Sequence, residues 1–192
     1  MRQTAKLPVP FSPTRRTLLR RASLAIAGLG LWPLVVRGAE SPATRLGALG
    51  ITLPETPPPL ANYVPYLVQE NFVYIAGQIP MRDGELLHPG AVPTAVSVEQ
   101  AREAARQCGV NILAALNAAC AGDLNRVRQC MRLDGFVASG DGFTGQATVM
   151  NAASDLMVEV FGDTGRHTRT AVGVNQLPGN ACVEIAAVFV ID

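Results

Sequence analysis

Tyr63-Val64-Pro65-Tyr66-Leu67-Val68-Gln69-Glu70-Asn71-Phe72-Val73-Tyr74-Ile75-Ala76-Gly77-Gln78-Ile79 reads as two strands folded back on a two-residue turn. Residues 63–69 and 72–79 are rich in Val, Ile and Tyr, and Glu70-Asn71 interrupts them, so the run predicts a β-hairpin. Gly77 inside the second strand predicts a bulge or a close approach of another group to the backbone.

Downstream, Ser97-Val98-Glu99-Gln100 has the spacing of a capping box. Val98, Ala101, Ala105, Cys108, Ile112, Ala115 and Ala119 then recur at three-and-four intervals up to Gly122, which predicts a long helix with an alanine-rich face. Residues 127–139 read as a strand punctuated by Arg128 and Arg132. Val149, Ala152, Ala153, Leu156, Met157 and Val160 predict a second helix over 148–161, stopped by Gly162. Residues 169–174 and 181–191 are the last two strands, joined through the turn-forming Leu177-Pro178-Gly179-Asn180 and expected to lie side by side. The predicted order β-β-α-β-α-β-β is of the α+β class. Two helices on one face of a mixed sheet leave the other face uncovered, and an oligomer interface would cover it.

Working upstream, residues 40–62 contain Leu53-Pro54-Glu55-Thr56-Pro57-Pro58-Pro59, which must run extended and is expected to strap across the domain surface. Before it, Arg15-Arg16 stands ahead of a short apolar stretch, residues 24–36, closed by Arg37 and small residues. This resembles a bacterial twin-arginine export signal, so residues 1–39 are read as an address to the periplasm, with cleavage after Gly38, Ala39 or Ala43. The stretch is broken by Gly28, Gly30 and Pro33 and falls short of the roughly 20 apolar residues of a spanning helix. The cleaved protein is therefore expected to have no stable association with a membrane, the alternative being an uncleaved N-terminal membrane anchor. The fold proper is assigned to residues 63–192.

At 192 residues and 48% apolar content, the chain is long enough for one domain with a core. The formal charge of +1 hides an asymmetry: seven basic and no acidic residues precede position 40. The remainder holds nine arginines against fifteen acids, a balance of −6, and no lysine. That is a poor match for a polyanion and argues against nucleic-acid binding. Cys108, Cys120, Cys130 and Cys182 lack the spacing of a zinc site; they read as small buried hydrophobes, with a disulfide as the alternative in an oxidising compartment. His88 and His167 have no ligand spacing, so neither is given a metal role.

Glu184 is the one ionisable residue in Ala181-Cys182-Val183-Glu184-Ile185-Ala186-Ala187-Val188-Phe189-Val190. A carboxylate among apolar neighbours must be paired, hydrogen-bonded or protonated, and such positions suit acid or base chemistry. Arg169 shares a strand face with Ala171 and Gly173, small residues that leave room for a ligand, and its planar fork matches a carboxylate in two hydrogen bonds. Whether the two face each other turns on register. A loop centred on Gln176-Leu177 aligns them, one centred on Pro178-Gly179 offsets them by about four residues, and in an oligomer they could meet across subunits.

Tyr63 with Asn71 eight residues on, Ala76-Gly77-Gln78-Ile79-Pro80, Asn151 in the second helix, Arg169 ahead of Leu177-Pro178, and Glu184 together resemble the Rid (YjgF-like) family over residues 61–192. The strap and Ala61-Asn62-Tyr63 look like a longer branch sometimes labelled as endoribonucleases. Ala61-Asn62 stands where the best-known members carry Gly-Pro, and Ala171 where they often carry cysteine. The resemblance implies a fold similar to bacterial chorismate mutase, assembled as a homotrimer with clefts between subunits. It also implies cofactor-independent hydrolysis of small enamine or 2-imino acids to 2-keto acids and ammonia. Arg169, helped by the Ala171 N–H, would hold the substrate carboxylate, and Glu184 would activate the attacking water. Tyr63 would line the cleft, Gly77 would shape its wall, and Asn151 would assist binding or bond a nearby turn. A non-catalytic binder of small carboxylic acids would use the same Arg169; an endoribonuclease is disfavoured by the acidic balance.

Overall fold

The computed structural model describes residues 40–56 and 62–192. The proposed export signal, the cleavage points after Gly38 and Ala39, and the three consecutive prolines of the strap lie outside the described residues.

The hairpin forms from β1 (Tyr66–Gln69) and β2 (Phe72–Gln78), antiparallel, with Gln69 opposite Phe72. Tyr63 itself precedes the first strand. The Gly77 expectation holds: β2 pairs antiparallel with the last strand, β7 (Val183–Ile191), and the register slips between Ile75 and Gln78. That slip is a bulge, placed where glycine allows it.

After β2 the chain makes a small second hairpin absent from the predicted order, β3 (Met81–Arg82) and β4 (Glu85–Leu86), turning on Asp83 and Gly84 at positive φ. The long helix α2 (Val98–Ala119) holds it. Arg82 donates to the Gln107 and Glu103 side chains, each at 3.0 Å, and Gln107 and Asn111 donate to the Met81 carbonyl. Gln107 is buried, and these bonds satisfy it. The capping box at Ser97 and Gln100 forms in both directions, at 3.2 and 2.9 Å. A leading helix, α1 (Pro42–Ala48), was also missed. Ser41 caps it and proline opens it, a legible start signal.

Beyond α2 come β5 (Val127–Ala138), α3 (Gln146–Phe161) and β6 (Thr168–Val174). The sheet order is β1-β2-β7-β5-β6. This corrects the expected pairing of the last two strands. β5 lies between them, parallel to β6 and antiparallel to β7, and Leu177–Asn180 carries the chain past β5 instead of closing a hairpin. The seven principal elements and the α+β, chorismate mutase-like architecture stand.

The core lies between the sheet and α2 and α3. Along β7, Val183, Ile185, Ala187, Phe189 and Ile191 are buried, while Glu184, Ala186, Val188 and Val190 face the other way. Gly135 on β5 seats α3, because a Cβ there would fall 2.1 Å from the Met150 sulfur. Among the described residues the opposite face carries no helix, and Leu67, Tyr74 and Val172 are exposed there. No helix among the described residues is long and apolar enough to cross a membrane.

Candidate functional site

Arg169 pairs in register with Leu133 of β5, which is fully buried beneath the helices, so the arginine projects from the edge strand toward α3. Its Nη1 donates to Asn151 Oδ1 at 2.9 Å and to Ser154 Oγ at 3.0 Å. Both hydrogens of that nitrogen are thereby used, leaving the Nε and Nη2 edge of the fork. Arg169 belongs to none of the ion pairs among the described residues. An exposed guanidinium held by neutral acceptors keeps its capacity for an anion.

The room expected beside it is partly filled. Gly173 lies against Gln146 and Ser139, whose side chains come within 2.7 and 2.9 Å of where a Cβ would stand. Ala171, in register with Gly135, packs on the core.

Glu184 occupies the opposite face, in register with Phe136. Half-burial pushes its carboxyl above the ordinary range, with desolvation as the cause. The side chain lies across the Gly77 backbone, with Oε1 only 1.9 Å from the point a Cβ would occupy. The glycine therefore makes the space the carboxyl fills. Gly77 and Tyr63 also line a cavity of about 460 Å³ with Pro54, Asn111 and Ala114. Tyr63 is exposed.

Six candidate residues thus fall into two groups. Asn151, Arg169 and Ala171 gather where β6 meets α3; Tyr63, Gly77 and Glu184 gather at the bulge of β2. Val172, not Arg169, shares the register row of Phe136 and Glu184, with β5 between. Two strand spacings and three residues of rise put the Arg169 and Glu184 Cα atoms roughly 14 Å apart. Their side chains point to opposite faces, so within one chain they do not share a cleft.

Ser154 and His167 were not singled out as site residues, yet His167 Nε2 lies 3.1 Å from Ser154 Oγ, directly beside Arg169. Alternation was the available signal, since positions 167, 169 and 171 fall on one side of an extended chain. His88 instead pairs with Glu103 at 2.9 Å. Among the described residues no group of three His, Cys, Asp or Glu side chains is placed to hold a metal ion. All four cysteines are buried and free.

Residues 43–190 match the family model described as "YjgF/chorismate mutase-like, putative endoribonuclease". The chain is 41% identical over 146 residues to Protein TCP17 of Trypanosoma cruzi, covering 76% of this chain and 91% of that one. The crystal structure of Atu1372 from Agrobacterium tumefaciens, a protein of unknown function, superposes with a TM-score of 0.74 at 46% identity, over 79% of this chain and 92% of that one. A "putative endoribonuclease" from Shewanella oneidensis gives 0.76 at 32% identity, over 79% and 100%. Sequence, strand order and these likenesses agree: the chain belongs to the YjgF/chorismate mutase-like family.

Proposed function

We propose that this protein is a Rid-type hydrolase that converts small enamine or 2-imino acids to 2-keto acids and ammonia in clefts between the subunits of a homotrimer. The observation that carries the reading is the arrangement at Arg169: Nη1 occupied by Asn151 and Ser154, no carboxylate among the described residues paired with it, and the other edge of the fork left for a ligand. A 2-imino acid supplies the complementary carboxylate. Glu184, whose carboxyl desolvation pushes above its ordinary value, takes a proton from the water that adds to the imine carbon. Glu184 passes that proton to the nitrogen to complete the carbinolamine, whose hydroxyl proton then moves to the nitrogen as the C–N bond breaks, so ammonia leaves as the keto group forms. Tyr63 and Gly77 bound the Glu184 half of the cleft, while Asn151 and the Ala171 N–H belong to the Arg169 half.

The split between the two halves supports assembly. Apposing the Arg169 edge of one copy with the open face of the next would bring the groups together, and exposed Leu67, Tyr74 and Val172 on that face favour burial against a neighbour. Light scattering should report about three chains per particle, and a stable monomer would remove the intersubunit cleft. The leader, residues 1–39, is proposed to direct the folded protein to the periplasm. Trp32 is the sole tryptophan, so the exported form should lack tryptophan emission if the leader is cleaved.

The deciding experiment generates 2-iminobutyrate with an amino-acid oxidase, without added metal or nucleotide, and follows its loss. Acceleration by the parent protein is expected. If imine is lost no faster than in buffer while small carboxylates still bind through Arg169, the protein is a binder.

A further inference from the structure

We propose that Ser154 and His167 are positioning residues that set the orientation of the Arg169 fork, and so govern affinity for the substrate carboxylate. The inference rests on Arg169 being the carboxylate clamp. It begins at Gly165, whose place allows no side chain: a Cβ would fall 2.1 Å from the Met157 carbonyl oxygen on α3. Pressed against the helix in this way, Gly165 presents its own carbonyl to His167 Nδ1 at 2.7 Å. A carbonyl only accepts, so Nδ1 carries the proton and Nε2 of the neutral ring is the acceptor.

His167 Nε2 therefore takes the Ser154 hydroxyl proton at 3.1 Å, which turns a Ser154 lone pair to the guanidinium at 3.0 Å. The chain of donors runs in one direction, from Arg169 through Ser154 and His167 to the Gly165 carbonyl. Asn151, one turn earlier on α3, supplies the second acceptor to the same nitrogen at 2.9 Å. Two acceptors on one nitrogen fix the plane of the guanidinium, and the plane decides whether its free edge meets a carboxylate with both hydrogen bonds or one. Ser154 and His167 touch no reacting atom.

The test measures 2-oxobutyrate binding by calorimetry, and KM and kcat with 2-iminobutyrate generated in place. Ser154→Ala should raise Kd and KM about tenfold, the worth of one hydrogen bond to a charged group, with kcat nearly parental. Ser154→Thr, which keeps the hydroxyl, should restore both, and His167→Ala should raise KM severalfold. A Ser154→Ala protein with parental Kd and KM, or one whose loss falls on kcat alone, overturns the inference while leaving the clamp intact. A parent that neither binds 2-oxobutyrate nor hydrolyses the imine defeats the clamp itself, and this inference with it. Should the alanine variants not fold, nitrogen NMR on the parent decides: in the neutral ring the proton is expected on Nδ1 of His167, and an Nε2-protonated tautomer contradicts the chain.

Discussion

Arg169 and Glu184 are set in opposite ways. The arginine stands on an exposed edge strand yet is tied by two hydrogen bonds to a helix, so its geometry is determined while its charge is paired with no carboxylate among the described residues. The carboxyl stands in the middle of the sheet, half-buried against a glycine, so its proton affinity is altered while, among the described residues, shape and not a hydrogen bond sets its orientation. A group whose task is to receive a fixed charge benefits from directional bonds. A group whose task is to gain and lose a proton benefits from partial desolvation, because hydrogen bonds to its ionised form would lower its basicity.

Replacing the carboxyl tests that contrast most severely. Glu184→Gln, nearly the same size, should lower turnover by roughly a hundredfold or more with 2-oxobutyrate binding retained. It also has a signature in stability. A carboxyl with a raised folded pKa holds its proton more tightly in the folded chain, so it favours folding in acid, and that contribution is lost as pH climbs through the raised value. The glutamine variant should accordingly melt above the parent at neutral pH, with the gap closing as pH falls. A constant gap would mean that Glu184 titrates normally.

Gly77→Ala asks whether shape alone orients the carboxyl. The new methyl would stand 1.9 Å from Glu184 Oε1, the movable end of a side chain, so the carboxyl should shift while the fold survives. Turnover should fall about tenfold to a hundredfold with little change in melting temperature. Arg169→Lys keeps the charge and discards the fork, and should raise KM about tenfold with a smaller change in kcat. Equal losses in KM and kcat would break the division of labour between the two residues. Arg106–Glu159 serves as the control, a 2.8 Å pair between α2 and α3 in a largely solvated setting. Glu159→Gln should cost less than about 1 kcal/mol in denaturant unfolding and leave both kinetic constants unchanged.

Local signals in the sequence carried the elements well and their partners poorly. Ser97 and Gln100 announced the start of α2, and Gly77 announced the bulge, because each depends on residues only a few positions apart. Pro178-Gly179 announced a turn and the chain does turn there, but a turn signal is silent on what lies between the strands it joins. The insertion of β5 between β6 and β7 is a long-range event governed by burial of Leu133 and Val137 on the helix side of the sheet. For the same reason Arg169 and Glu184 stood out in the sequence as candidate residues, while their places on opposite faces did not. His167 has no metal-ligand spacing around it in the sequence. Its partners arrive from a helix 13 residues earlier and a backbone carbonyl, and neither leaves a motif.

The four thiols offer a use unrelated to any reaction of the protein. Burial pushes Cys130 up to about 12 and Cys182 up to about 11, and it raises Cys108 and Cys120 as well. Since the thiolate is the reactive form, an alkylating reagent at neutral pH meets almost none of it in the closed protein. Labelling must wait for a thiol to be uncovered, so the rate at each cysteine reports how often that part of the molecule opens. Cys108 sits within α2, Cys120 at its C-terminal cap, Cys130 in β5 and Cys182 just before β7. Mass spectrometry of the alkylated peptides would therefore time the opening of helix and sheet separately, without any engineered probe.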